Sequence, residues 1–166
     1  MHRSAYLAGA CLTLLATMAL ARSVPYEYDH AANFSKYKTF AWTRGTNLTD
    51  ELNHTRVVRA IDAALVAKGL VRVESSATPD ALVAYHASFD LERFSGSGST
   101  GLGGSLRMHS VLVGTLIVEI SDARTNTIVW RSLVSSDLRP YETSDGRGRK
   151  IAKAVEKMFK NYPPKP

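Results

Sequence analysis

A glycine-rich segment has the spacing that comes nearest to a known chemical motif. Gly96, Gly98 and Gly101 fit the letters of the dinucleotide-binding fingerprint, and they follow a predicted strand. That fingerprint needs a third glycine that opens a helix, whose amino terminus then meets a pyrophosphate. Here the chain continues into another strand, so we interpret the match as accidental. We predict that residues 95–105 form a flexible loop between two strands, with ordering on a partner as the alternative.

Histidine is the other residue type that could do chemistry. Four of the five histidines follow the amino-terminal segment, on separate predicted elements: His30, His54, His86 and His109. No pair has metal-ligand spacing such as i, i+4 on a helix. His86 has the opposite strand parity from Tyr85 and Phe89, which predicts a surface position. The sequence also contains no Gly-x-Ser-x-Gly elbow and no paired-carboxylate signature. We therefore predict no catalytic residue, no metal and no cofactor.

The carboxy-terminal helix carries a run of cations, predicted to lie opposite its apolar stripe. We call this set the basic ridge; its members are Arg147, Arg149, Lys150, Lys153, Lys157 and Lys160. One interpretation is an ordinary solvated helix face. The other is contact with anionic lipid headgroups or an acidic envelope polymer, at about 1 kcal/mol per Lys near a charged membrane.

The first 21 residues read as a secretory signal peptide. His2 and Arg3 are followed by an apolar run from Ala5 to Leu20, and residues 19–21 form a small-x-small cleavage signal. An uncleaved anchor is the alternative, but the run falls a little short of the roughly 20 residues that span a bilayer. Residues 22–166 are then a single exported domain. Lys and Arg outnumber Asp and Glu by 21 to 15, yet export disfavours nucleic acid as a partner.

Cys11 is the only cysteine, and it lies inside that leader. Its small-residue surroundings partly match the lipobox of bacterial lipoproteins, although Ala8 stands where a Leu is usual. Lipidation of Cys11 is therefore an alternative to cleavage after Ala21. If cleavage falls at Ala21, the mature chain has no thiol, which excludes disulfides and thiolate nucleophiles.

Two β-branched runs around a polar turn predict a central hairpin over residues 111–138. Leu116, Val118 and Ile120 alternate with polar residues, as expected for a strand with one face in a core. Asp122 and Asn126 supply the turn chemistry.

The other elements follow from capping and periodicity. We predict a first strand over residues 26–42, then a helix capped by Asn47 or Thr49 that ends at Gly69, a short strand over 70–73 and a longer one over 80–90. Ser144 or Asp145 is predicted to cap the last helix. The coarse order β-α-β-β-β-α predicts an α+β two-layer sandwich, with a mainly antiparallel sheet and both helices on one face.

Several segments taken in order resemble a bacterial family named domain of unknown function 4136. They are Tyr28–Asp29, Phe34–Trp42, residues 63–70 and 80–85, residues 114–123, Ile128–Arg131, and residues 162–164. Members are mostly exported or lipoprotein-like envelope proteins of Gram-negative bacteria, and the resemblance implies no activity. Ser132 departs from the pattern, because a Gly is expected there. The shared positions read as fold determinants, with Trp130 predicted to be buried and an anchor for a partner as the alternative.

These observations favour a non-enzymatic accessory or interaction module of the periplasm or cell envelope. Its partner would be an envelope protein, an anionic lipid or an envelope polymer. A periplasmic small-ligand or polymer-binding domain, with a groove beside the 95–105 loop, is the alternative. A hydrolase with a site assembled from distant residues is less favoured.

Overall fold

The computed structural model describes residues 24–74, 77–96, 107–138 and 142–165. Its two α-helices are α1, Glu51–Ala67, and α2, Ser144–Phe159. A short 3-10 helix spans Phe34–Lys36. The strands are β1, Tyr26–Tyr28; β2, Thr39–Trp42; β3, Val71–Arg72; β4, Ala81–Gly96; β5, Arg107–Asp122; and β6, Ile128–Leu138.

The described strands form one mixed sheet in the order β1-β6-β5-β4-β2-β3. Strands β1, β6, β5 and β4 pair antiparallel, whereas β2 is parallel to both β4 and β3. The predicted α+β class is confirmed. The sequence predicts five strands, two of them in the hairpin, and the described sheet has a sixth because residues 26–42 form two strands, β1 and β2. The Asn33 side chain accepts a hydrogen bond from the Ser35 N–H at 3.1 Å, which supports the 3-10 turn that divides them.

The predicted hairpin is formed by β5 and β6. Its turn is closed by the Asn126 N–H, which donates to the Asp122 carbonyl at 2.8 Å. Asn126 has a φ of 55°, a left-handed conformation that Asn tolerates better than most residues. Strands β4 and β5 pair along their whole lengths, from Ala81 with Asp122 to Gly96 with Arg107.

Both helices begin at a different cap from the predicted one. Asp50, not Asn47 or Thr49, caps α1, and its carboxylate accepts from the Asn53 N–H at 3.0 Å. Thr143, not Ser144 or Asp145, caps α2. In both cases the oxygen that reaches a free N–H three residues ahead belongs to the residue just before the first helical turn. Gly69, with a φ of 89°, ends α1 as predicted.

One apolar core joins the two helices to one face of the sheet. Ile61 and Leu65 of α1 and Val155 and Phe159 of α2 belong to the same buried cluster as Trp130. The Trp130 ring lies 5.0 Å from the Phe159 ring and 5.3 Å from the Tyr162 ring, measured between centroids. The predicted burial of Trp130 is confirmed. Neither α1 nor α2 is long and apolar enough to cross a membrane.

Candidate functional site

A groove of about 640 Å³ lies between α2 and the part of the sheet that the helices do not cover. Its walls come from the start of α1, from α2, from the middle of β4 and β5, and from the carboxy-terminal half of β6. A volume of this size falls within the range of about 300 to 1,000 Å³ that is usual for small-ligand sites. This groove is the candidate functional site.

The floor of the groove is the continuation of the core face of the sheet. The register pairs Tyr85 with Val118 and Phe89 with Gly114, so Phe89 lies on the same face as the buried Tyr85. Yet Phe89 is 56% exposed, and Leu112 is 40% exposed. Adjacent apolar side chains that stay accessible on a folded domain are typical of binding surfaces.

Element length explains why this face is left uncovered. Each of β4 and β5 has 16 residues, and so does α2. A strand of that length extends about 53 Å, whereas a helix of the same number of residues extends about 24 Å. The long β4–β5 pair therefore reaches past the helices, and its apolar face becomes the floor of the groove.

Gly114 shapes the floor where the strands meet. A Cβ at this position would lie 3.0 Å from the Leu138 Cδ1 atom. The absence of a side chain thus lets Leu138 lean across from β6 and line the groove with Phe89. A larger residue at position 114 would have to displace Leu138.

Four residues of the basic ridge line the groove: Arg147, Lys150, Lys153 and Lys157. All six members of the ridge are exposed. The predicted position opposite the apolar stripe implies that the ridge faces away from the fold. In the structure, part of the ridge borders the groove instead. Its cations spread around the flank of α2, where their long side chains border the apolar floor. Arg149 and Lys160 are outside the groove lining.

Two of the rim cations already have partners. The Lys150 ammonium lies 2.8 Å from the Glu142 carboxylate, and Arg147 donates to the Glu142 backbone carbonyl at 3.3 Å. Lys153 and Lys157 form no ion pair with any residue that the structure describes. With Asp50 and Glu142 as the acidic lining residues, four cations face two carboxylates, and the groove carries an excess of positive charge.

The described histidines hold structural positions outside the groove. His54 Nδ1 lies 2.5 Å from the Tyr85 hydroxyl, and burial raises the pKa of that tyrosine. His86 lies on the other face of the sheet, as predicted, where its Nε2 is 3.5 Å from a Glu119 oxygen. The His109 side chain lies outside the described residues. Among the residues that are described, no three His, Cys, Asp or Glu side chains group as a metal site would require.

Two other predicted features cannot be placed. The leader with Cys11 and residues 97–105 of the predicted loop lie outside the described residues. Ser95 and Gly96, which were predicted to belong to that loop, form the end of β4 instead.

The sequence predicted a groove only as an alternative, and beside the 95–105 loop. Its position between α2 and the sheet was not foreseen, although Phe89 was assigned to the correct face. One pattern in the sequence could have predicted the groove. Apolar residues continue to alternate through Phe89 and Leu91, farther along the strand than the predicted helices can cover.

The model of a family described as domain of unknown function (DUF4136) matches residues 24–164. A search of curated proteins finds no significant match.

Similar folds occur among solved structures. A DUF4136 family protein from Bacteroides thetaiotaomicron has 14% identity and a TM-score of 0.55, over 84% of this chain and 95% of the other. A PelC dodecamer from Paraburkholderia phytofirmans has 11% identity and a TM-score of 0.53, over 82% of this chain and 96% of the other.

A PDZ domain protein from Parabacteroides distasonis has 16% identity and a TM-score of 0.59 over 86% of this chain. The chain spans only 36% of that larger protein. At these identities the likenesses show a shared fold.

Proposed function

We propose a binding role in the bacterial cell envelope for this chain, which belongs to the DUF4136 family. The export signal predicted at residues 1–21 supports the location. Within the envelope the chain would act as a non-enzymatic accessory module. Its work would be to hold a ligand or partner.

The observation that carries this proposal is the uncovered apolar floor around Phe89 and Leu112, bordered by cations of α2. Burying such side chains against a ligand gains about 1.5 to 3 kcal/mol for each one that becomes fully covered. Among the described residues that line the groove there is no histidine and no cysteine. Its charged groups lie along the rim, so the arrangement suits binding better than bond cleavage.

The binding role is tested with Nile red, a neutral apolar dye whose fluorescence rises in an apolar site. We expect Phe89→Asp to weaken dye binding by about tenfold or more, because a carboxylate would then lie on the apolar floor. The matched control is Val71→Asp, since Val71 is 60% exposed on the edge strand β3 and does not line the groove. Equal dye binding by the original protein and both variants would refute the groove as a binding site.

A further inference from the structure

We infer that the groove binds a long-chain amphiphile with an anionic head, with its chain on the Phe89 floor and its head at Lys153 and Lys157. This inference rests on the proposed binding role of the groove and adds the chemical class of the ligand. It commits to one occupant, a single aliphatic chain that ends in a carboxylate or another anionic group.

The floor selects an apolar chain because it offers little to a polar ligand. Phe89, Leu112, Leu116, Val134 and Leu138 contribute aliphatic and aromatic surface. Thr115 and Ser135 lie on the opposite face of the sheet, where their hydroxyls are 2.9 Å apart and hydrogen-bond to each other. Among the described strand residues of the lining, Ser136, which pairs with Gly114, is the one that places a hydroxyl on the floor. A sugar or peptide placed on this floor would lose hydrogen bonds to water without regaining them.

The rim selects an anionic head. Glu142 forms an ion pair with Lys150, and its backbone carbonyl accepts a hydrogen bond from Arg147. Lys153 and Lys157 are therefore the lining cations with neither an ion pair nor a side-chain hydrogen bond among the described residues. These two lysines are four residues apart on α2, about one helical turn or 6 Å along the axis. Their like charges repel each other. An anion between them would relieve that repulsion and supply the missing counter-charge.

The same charge pattern discriminates between amphiphiles of equal chain length. A cationic head would meet the excess positive charge of the rim, and a neutral head would gain nothing from it. Burial of the aliphatic chain contributes the same binding free energy in all three cases, because the floor does not contact the head. The charge of the head should therefore account for the differences in affinity.

The test compares laurate, dodecyl maltoside and dodecyltrimethylammonium below their micelle concentrations, each by isothermal titration calorimetry. The protein is expressed from its full coding sequence and purified from the host envelope. We expect laurate to bind tightest and dodecyltrimethylammonium weakest. The double variant Lys153→Gln/Lys157→Gln should weaken laurate binding by roughly tenfold and leave dodecyl maltoside unchanged.

The matched control is Lys38→Gln/Lys165→Gln, which removes the same net charge from exposed positions outside the groove lining and away from α2. It should leave laurate affinity within about twofold, as expected for distant, screened charges.

A second variant should increase the affinity for laurate. Glu142→Gln releases Lys150 from its carboxylate partner, so laurate should bind about threefold tighter.

The two proposals fail in different ways. If the three amphiphiles bind equally and Lys153→Gln/Lys157→Gln has no effect on laurate, the anionic class is wrong. The binding role then stands, provided that Phe89→Asp weakens all three. If Phe89→Asp changes none of the three affinities, the binding role itself is wrong.

Discussion

Asp122 is the residue on which the end of the central hairpin depends. It is 4% exposed, yet its carboxylate receives the Lys36 ammonium at 2.5 Å and the Tyr37 hydroxyl at 3.2 Å. Its other oxygen accepts from the Arg124 N–H at 2.9 Å. The hydrogen bond from Lys36 first, then the N–H of Arg124, holds the pKa of Asp122 below its usual range. The carboxylate thus ties the turn to the chain before β2.

The lowered pKa of Asp122 predicts how the free energy of unfolding changes with pH. Because the pKa in the folded state lies below the ordinary value of 3.8, the carboxylate stabilises the fold fully above that value. The contribution falls away as the pH drops below 3.8 towards the folded pKa. We therefore expect Asp122→Asn to lower the free energy of unfolding at pH 7, and the difference from the original protein to shrink by pH 2. Urea denaturation at the two pH values measures it, and an equal difference at both would contradict the charge-based explanation.

At the start of helix α2, the observed cap, Thr143, and one predicted cap, Ser144, are adjacent residues with different contacts. The Thr143 hydroxyl accepts from one of the free N–H groups of the first turn, that of Gly146, at 3.1 Å. The Ser144 hydroxyl instead accepts from the Arg56 guanidinium at 2.6 Å. Two neighbouring hydroxyls therefore have different roles, one within the helix and one towards α1.

Substitution separates these roles. We expect Thr143→Ala to cost about 1 kcal/mol in the free energy of unfolding, because the helix loses its cap. Thr143→Ser should keep most of that energy. The matched change Ser144→Ala removes only an exposed side-chain contact and should cost less, within about 0.5 kcal/mol. Urea titration of the three variants decides, and a larger loss for Ser144→Ala would place the cap at Ser144 after all.

The elements were more readable from the sequence than the groove that they form. Alternation assigned Val118, Ile120 and Phe89 to the core face, and helical spacing assigned Val155 and Phe159 to the core, because periodicity alone fixes which face a residue occupies. The caps were missed by one to three residues, since several adjacent polar side chains are chemically equivalent until the first turn is placed. The groove depends on how far β4 and β5 extend past α2. No local pattern predicts that length, because the glycine- and serine-rich sequence of residues 95–105 does not show where β4 ends and β5 begins.

At the scale of the whole molecule, the predicted leader governs where the binding role would be exercised. Intact mass measurement and fractionation in a Gram-negative host test it. We expect a product that begins at Arg22 in the periplasmic fraction, because residues 19–21 carry the small-x-small signal. An acylated product that begins at Cys11 would contradict cleavage at Ala21 and would make the chain a membrane-tethered lipoprotein.

The pairing of β1 with β6 has a consequence for the order of folding. Tyr26 pairs with Ser132 and Tyr28 pairs with Trp130, so the first strand of the described chain needs a partner made about one hundred residues later. A polypeptide that crosses a membrane amino terminus first cannot close this edge of the sheet until its last strand has emerged. Contacts of such long sequence separation also form slowly. For the predicted export of this chain, the topology would leave the sheet incomplete until translocation is nearly over.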